Sequence, residues 1–112
     1  MGIELELHTA RPPRAGRDKD RSTLLQGSYR HGGALASALA RLDPDRSGPL
    51  GRVDPYNDTL VDEQQAQAAL RDIDGLLEQC SGEAERAAVH DLAALLRACA
   101  ATPGSHLLFI GD

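Results

Sequence analysis

The chain has no tryptophan, one phenylalanine, two tyrosines and one methionine in 112 residues. Single-stranded nucleic acid is bound on aromatic platforms along a basic groove, and duplex binding draws its affinity from a surplus of basic residues. With 3% aromatics and a net charge of −5, the sequence offers neither, so no nucleic-acid partner is expected. Two cysteines, Cys80 and Cys99, are too few for a secreted disulfide scaffold, and neither sits in a Cys-x-x-Cys motif. No apolar run approaches the ~20 residues that span a bilayer, so no membrane partner is expected. Met1–His8 is charged and alternating rather than a signal peptide. These absences together suggest a cytoplasmic protein. Lysine is nearly missing too: Lys19 stands beside eleven arginines. With the abundance of alanine and leucine, that bias reads as a GC-rich bacterial coding background, and each arginine carries little functional weight.

What is present is an ordinary share of hydrophobic residues, 41%, in a chain of single-domain length, so residues 1–112 are read as one domain. Ile3-Glu4-Leu5-Glu6-Leu7-His8 alternates with period two, the mark of a half-buried strand. Ile3, Leu5 and Leu7 are expected inward, and Glu4, Glu6 and His8 toward water or a partner. Residues 9–22, with Pro12-Pro13, Gly16 and dense charge, read as a mobile loop. Thr23–Gln26 is a weak second strand, followed by a polar turn at 27–33 and a short helix over about 33–42 that Asp43-Pro44 ends. Residues 59–61 suggest a brief extended step. Asp62 with Gln65 three residues on makes a capping box. A helix over about 62–80 and another over about 83–101, broken by Ser81-Gly82, should form an antiparallel hairpin. His106–Ile110 is short, almost wholly apolar and bounded by turn residues, as a central strand is. The expected fold is α+β: a small sheet pairing the N- and C-terminal strands, packed on the helical hairpin. That hairpin sets the two thiols on the order of 20 Å apart, so both are expected free and buried.

Charge divides unevenly along the chain. Residues 1–52 carry nine bases and six acids, and residues 53–112 three bases and eleven acids, giving +3 and −8. Within the acidic half, Asp54, Asp58, Asp62 and Glu63 surround Tyr56. Tyrosine is enriched at interface hot spots, and clustered acids steer basic partners. These five residues are the candidate partner-binding surface.

Two other stretches, and the histidines, are candidates for chemistry. Asp43, Asp45, Ser47, Gly48, Pro49 and Asp54 stand at positions 1, 3, 5, 6, 7 and 12 of a stretch that resembles an EF-hand calcium loop. The resemblance implies calcium held by Asp43, Asp45, Ser47 and Asp54. Arg46 and Arg52 within the loop, an Asp at position 12 and Pro55 directly after it depart from that pattern. Arg30-His31-Gly32-Gly33 offers cations and unencumbered backbone N–H groups at a helix start, a small-anion site. The His-Gly-Gly run is similar to the oxyanion-hole stretch of some esterases, but no Gly-x-Ser-x-Gly nucleophile accompanies it. Of the four histidines, no pair has zinc spacing; His8 and His106 approach only if the terminal strands run antiparallel.

No catalytic constellation is assembled by these residues, and the reading leans away from an enzyme. The expected function is a small acidic protein-interaction module that binds a basic partner protein, as immunity and inhibitor proteins do, with no resident cofactor. The alternative is an ion- or small-anion-binding module using the 43–54 loop or the 30–33 turn.

Overall fold

A computed structural model describes residues 2–10, 24–42 and 48–111. Four strands form one antiparallel sheet: β1 (Ile3–His8), β2 (Leu24–Ser28), β3 (Thr59–Asp62) and β4 (His106–Gly111), in the order β2-β1-β4-β3. The N- and C-terminal strands are therefore the two central ones, paired from Ile3↔Gly111 to His8↔His106. Alternation places Ile3, Leu5 and Leu7 on one face beside Leu107 and Phe109, all buried. The helices cover that face, so the fold is a compact α+β sandwich of one sheet and one helical layer. The expected mobile loop falls largely outside the described residues.

The helical layer consists of α1 (Gly32–Leu39), α2 (Glu63–Leu70), α3 (Ile73–Gln79) and α4 (Glu83–Ala101). Helix α4 is its spine, burying Val89, Leu92, Leu95, Leu96 and Cys99 at helical spacing. The helix expected over 62–80 is two helices. Arg71 and Asp72 donate their amides to Ala68 and Ala69, three residues back, so the turn tightens there before Leu76 donates to Asp72 and helix resumes. The inward residues accompany the offset: α2 fully buries Ala66 and Ala69, with Leu70 packed partly against the core, whereas α3 fully buries Ile73 and Leu76. Small residues let one axis lie close to α4; bulkier ones need more room, and the step is taken at 71–72.

Other boundaries also moved. Strand β2 runs on to Ser28, through residues expected in a turn, because Leu5, Glu6 and Leu7 supply partners for Ser28, Gly27 and Gln26. Helix α1 ends at Leu39, before Asp43-Pro44 is reached, as Arg41 and Leu42 donate to Ala38 and Leu39. His8, expected to face water or a partner, is 4% exposed. It lies on a central strand between His106 of β4 and Leu24 of β2, where a register shift between Leu7 and His8 interrupts the ladder. Its Nε2 lies 3.1 Å from Glu6 Oε1, which supplies a polar partner inside the sheet. Cys80 and Cys99 are both free, but only Cys99 is buried; Cys80 is half-buried at the end of α3.

Candidate interaction surface

The acidic segment lies along the β3 edge. Asp54 folds the loop before β3 upon itself: Tyr56 N donates to its Oδ1 at 2.9 Å and Asn57 Nδ2 to its Oδ2 at 2.8 Å. This is an Asx turn, in which a side-chain carboxylate replaces a backbone acceptor. The Asn57 amide and then the Tyr56 N–H hold the Asp54 carboxyl below its ordinary pKa. Asp54 N donates to Thr59 Oγ1 at 3.3 Å, which ties the turn to the first residue of β3. Asp58 accepts the amide of Gly111 at 3.2 Å, fastening the loop to the end of β4. That approach requires glycine, because a Cβ on Gly111 would collide with the backbone of Asn57. Held in this way, Tyr56 points outward and is 66% exposed.

The two remaining acids flank the start of α2. Asp62 Oδ1 accepts Gln65 N at 2.8 Å, and Gln65 Oε1 accepts Asp62 N at 3.0 Å, forming the expected capping box. Glu63 reaches across to accept Gly104 N at 3.0 Å, bracing the turn between α4 and β4. Each of the four carboxylates therefore has an intramolecular partner. Every one of these carboxylates thus has a structural contact, Asp54 and Asp58 toward the Gly111 end of β4 and Asp62 and Glu63 toward its His106 end, while Tyr56 is left displayed.

The 30–33 turn leaves the opposite edge strand, β2, and crosses to the start of β1, where Gly32 packs against Gly2 and Ile3. Gly32 and Gly33 open α1, and His31 precedes them without a side-chain capping bond. Two open clefts meet there, sharing Tyr29 as a wall. One, of about 470 Å³, is lined by Gly27, Ser28, Tyr29, Arg30, His31 and Asp91. The other, of about 380 Å³, is lined by Gly2, Glu4, Tyr29, Gly32, Gly33, Ile110 and Gly111. Ser28 Oγ donates to Asp91 of α4, so Asp91 sets a carboxylate opposite Arg30 and His31 in the first cleft. With Ser28 engaged directly by a carboxylate, no His-activated serine is formed there.

The EF-hand-like stretch is only partly described. Asp43, Asp45 and Ser47 lie outside the described residues, and Asp54 has both carboxylate oxygens engaged within its own loop. Pro49–Arg52 forms a 3₁₀ turn, and the chain then runs extended and turned to residue 58, where an EF-hand has its exit helix. Among the described residues, no three His, Cys, Asp or Glu side chains gather so as to hold a metal ion.

One cluster was not singled out from the sequence. On the sheet face away from the helices, Glu6 accepts Tyr29 OH at 2.7 Å through Oε2 while its Oε1 meets His8. Tyr29 lies over Gly27, directly opposite Glu6, and a Cβ on Gly27 would enter its ring. Leu108 is buried on this same face, and His106, across from His8, has a buried Nδ1. The antiparallel register could be anticipated only conditionally, and nothing local marked Tyr29 as the partner of Glu6.

Among the described residues, no helix is long and apolar enough to cross a membrane. No protein-family model, no curated protein and no solved structure matches the chain.

Proposed function

We propose that the chain is a cytoplasmic protein-interaction module that docks a basic partner protein through Tyr56 and the carboxylates spread along the β3 edge, as an immunity or inhibitor protein does. The observation that carries this reading is the 66% exposure of Tyr56 on a loop pinned by Asp54, Thr59 and Asp58. An aromatic residue whose backbone is already pinned loses less conformational freedom on binding. The carboxylates of Asp54, Asp58, Asp62 and Glu63 draw basic surfaces toward it. Their hydrogen bonds to backbone amides support the reading, since a carboxylate held in place presents its charge in a constant position.

The test is co-purification from the host over a salt series, followed by affinity measurement with Tyr56→Ala and Asp58→Asn. The asparagine keeps an oxygen for Gly111 N and removes only the charge. A basic protein is expected at low salt, with affinity reduced at least tenfold by Y56A, as for a hot-spot aromatic. A chain that runs alone at every salt concentration ends this reading.

A second reading, small-anion binding at residues 30–33, is favoured by the cleft that Arg30 and His31 line at the uncapped start of α1. Asp91 weighs against it, because its carboxylate shares the cleft. Phosphate titration followed by the backbone amide shifts of Gly32 and Gly33 distinguishes the two readings.

A further inference from the structure

We infer that β2 is a self-association edge, on which a second copy of this chain adds as an antiparallel strand about a two-fold axis centred on Gln26. The two edges of the sheet differ. At β3 the amide of Asp62 is taken by Gln65 and α2 begins at the next residue, so that edge is short and blunted. At β2, Leu24-Leu25-Gln26-Gly27-Ser28 contains neither charge nor proline, the usual protection of an open edge. Among the described residues the protective feature is the register shift opposite Leu7 and His8, and it leaves Leu25 52% exposed rather than ending the strand.

The edge is complementary to itself. Antiparallel pairing through Gln26 sets Leu25 of each copy opposite Gly27 of the other, large against small. Tyr29 lies over Gly27 and is 44% exposed, so Leu25 of one copy meets Tyr29 of the other, twice by symmetry. Leu25 and Tyr29 are two of the three exposed large hydrophobic residues described, and this arrangement covers both. The ring is already positioned by its bond to Glu6. Charge agrees with the geometry: residues 24–29 carry no ionised side chain, so copies of a chain with net charge −5 meet there with little repulsion. Joining two four-stranded sheets at β2 leaves the β3 edges, and the Tyr56 loops beside them, at the two far ends. The inference therefore stands whether or not Tyr56 binds a partner.

An interface of about five residues per copy falls below the ~1,200 Å² of a standard stable complex, so the dimer is weak. Sedimentation velocity from about 10 μM to about 1 mM should show reversible dimerisation with a Kd of roughly 10–500 μM. Leu25→Lys should raise that Kd at least tenfold with an unchanged circular dichroism spectrum. Amide hydrogen exchange on the wild-type protein should show protection in β2 that grows with concentration. A monomer at about 1 mM overturns the inference, as does a folded L25K protein with the wild-type Kd. If L25K does not fold, the wild-type exchange decides: dimerisation without added protection in β2 overturns the inference.

Discussion

Asp62 has two roles, fixing the start of α2 and carrying charge on the same sheet edge as Tyr56, at the other end of β3, and substitution can separate them. In Asp62→Ala the amide of Gln65 loses its acceptor at 2.8 Å, and Gln65 loses the reciprocal geometry that holds Asp62 N. Loss of an N-cap side chain costs about 0.5–2 kcal/mol, and removal of a negative charge from a helix start about 0.3–1 kcal/mol more. A total near 1.5 kcal/mol follows. With a urea m-value of about 1.5 kcal/mol/M, the denaturation midpoint should fall by about 1 M, and Tm by roughly 6 °C. Asp62→Asn is the informative companion. Asparagine caps as well as aspartate, so only the charge contribution is lost and the midpoint should fall by no more than about 0.5 M. D62N thus keeps the fold while lowering the acidity of the surface, and any loss of partner binding it causes is electrostatic. An alanine variant within about 0.2 M of wild type would refute the reasoning, because solvent would then serve Gln65 N as well as Asp62 does.

Three further outcomes follow from the same contacts. The Arg41 guanidinium and then the Ser81 amide hold the Glu85 carboxyl below its ordinary pKa, so its stabilising effect is full above the unfolded carboxylate range and fades as pH falls through the depressed value. Glu85→Gln should therefore flatten the loss of stability between neutral pH and about pH 3, and an equally steep acid limb would count against the pairing. Burial is the leading cause that raises the pKa of both thiols, and Cys99 is wholly enclosed. A thiol reagent at about pH 8 should modify Cys80 in the native protein and Cys99 only through unfolding, and equal rates would contradict the placement of Cys99. Gly27→Ala should push the Tyr29 ring off Glu6 and shift its aromatic resonances. The strand gains from alanine about what the lost hydrogen bond costs, so stability should change by less than about 1 kcal/mol; unshifted Tyr29 resonances would argue against the stacking.

Local physics decides much of this fold. The alternation of Ile3–His8, the 3.6-residue period of α4, the apolar run of β4 and the Asp62–Gln65 box are all written within a few neighbouring residues. They set the α+β class, with the terminal strands expected to pair and their direction left open, which the structure shows to be antiparallel. The break at 71–72 was not legible, because it answers to how close α4 lies rather than to any glycine or proline. The burial of His8 depended on which strands flank β1, a long-range fact. The acids around Tyr56 show the same division. Their clustering was plain in the sequence, but not that Asp58 would reach Gly111 or Glu63 reach Gly104, partners more than forty residues away. Helix caps and strand periods arise from interactions a few residues apart, which the sequence states directly. Strand order, register and the partners of distant side chains arise only when the chain closes on itself, and these decided which residues are buried, which are braced and which, like Tyr56, are left to meet a partner.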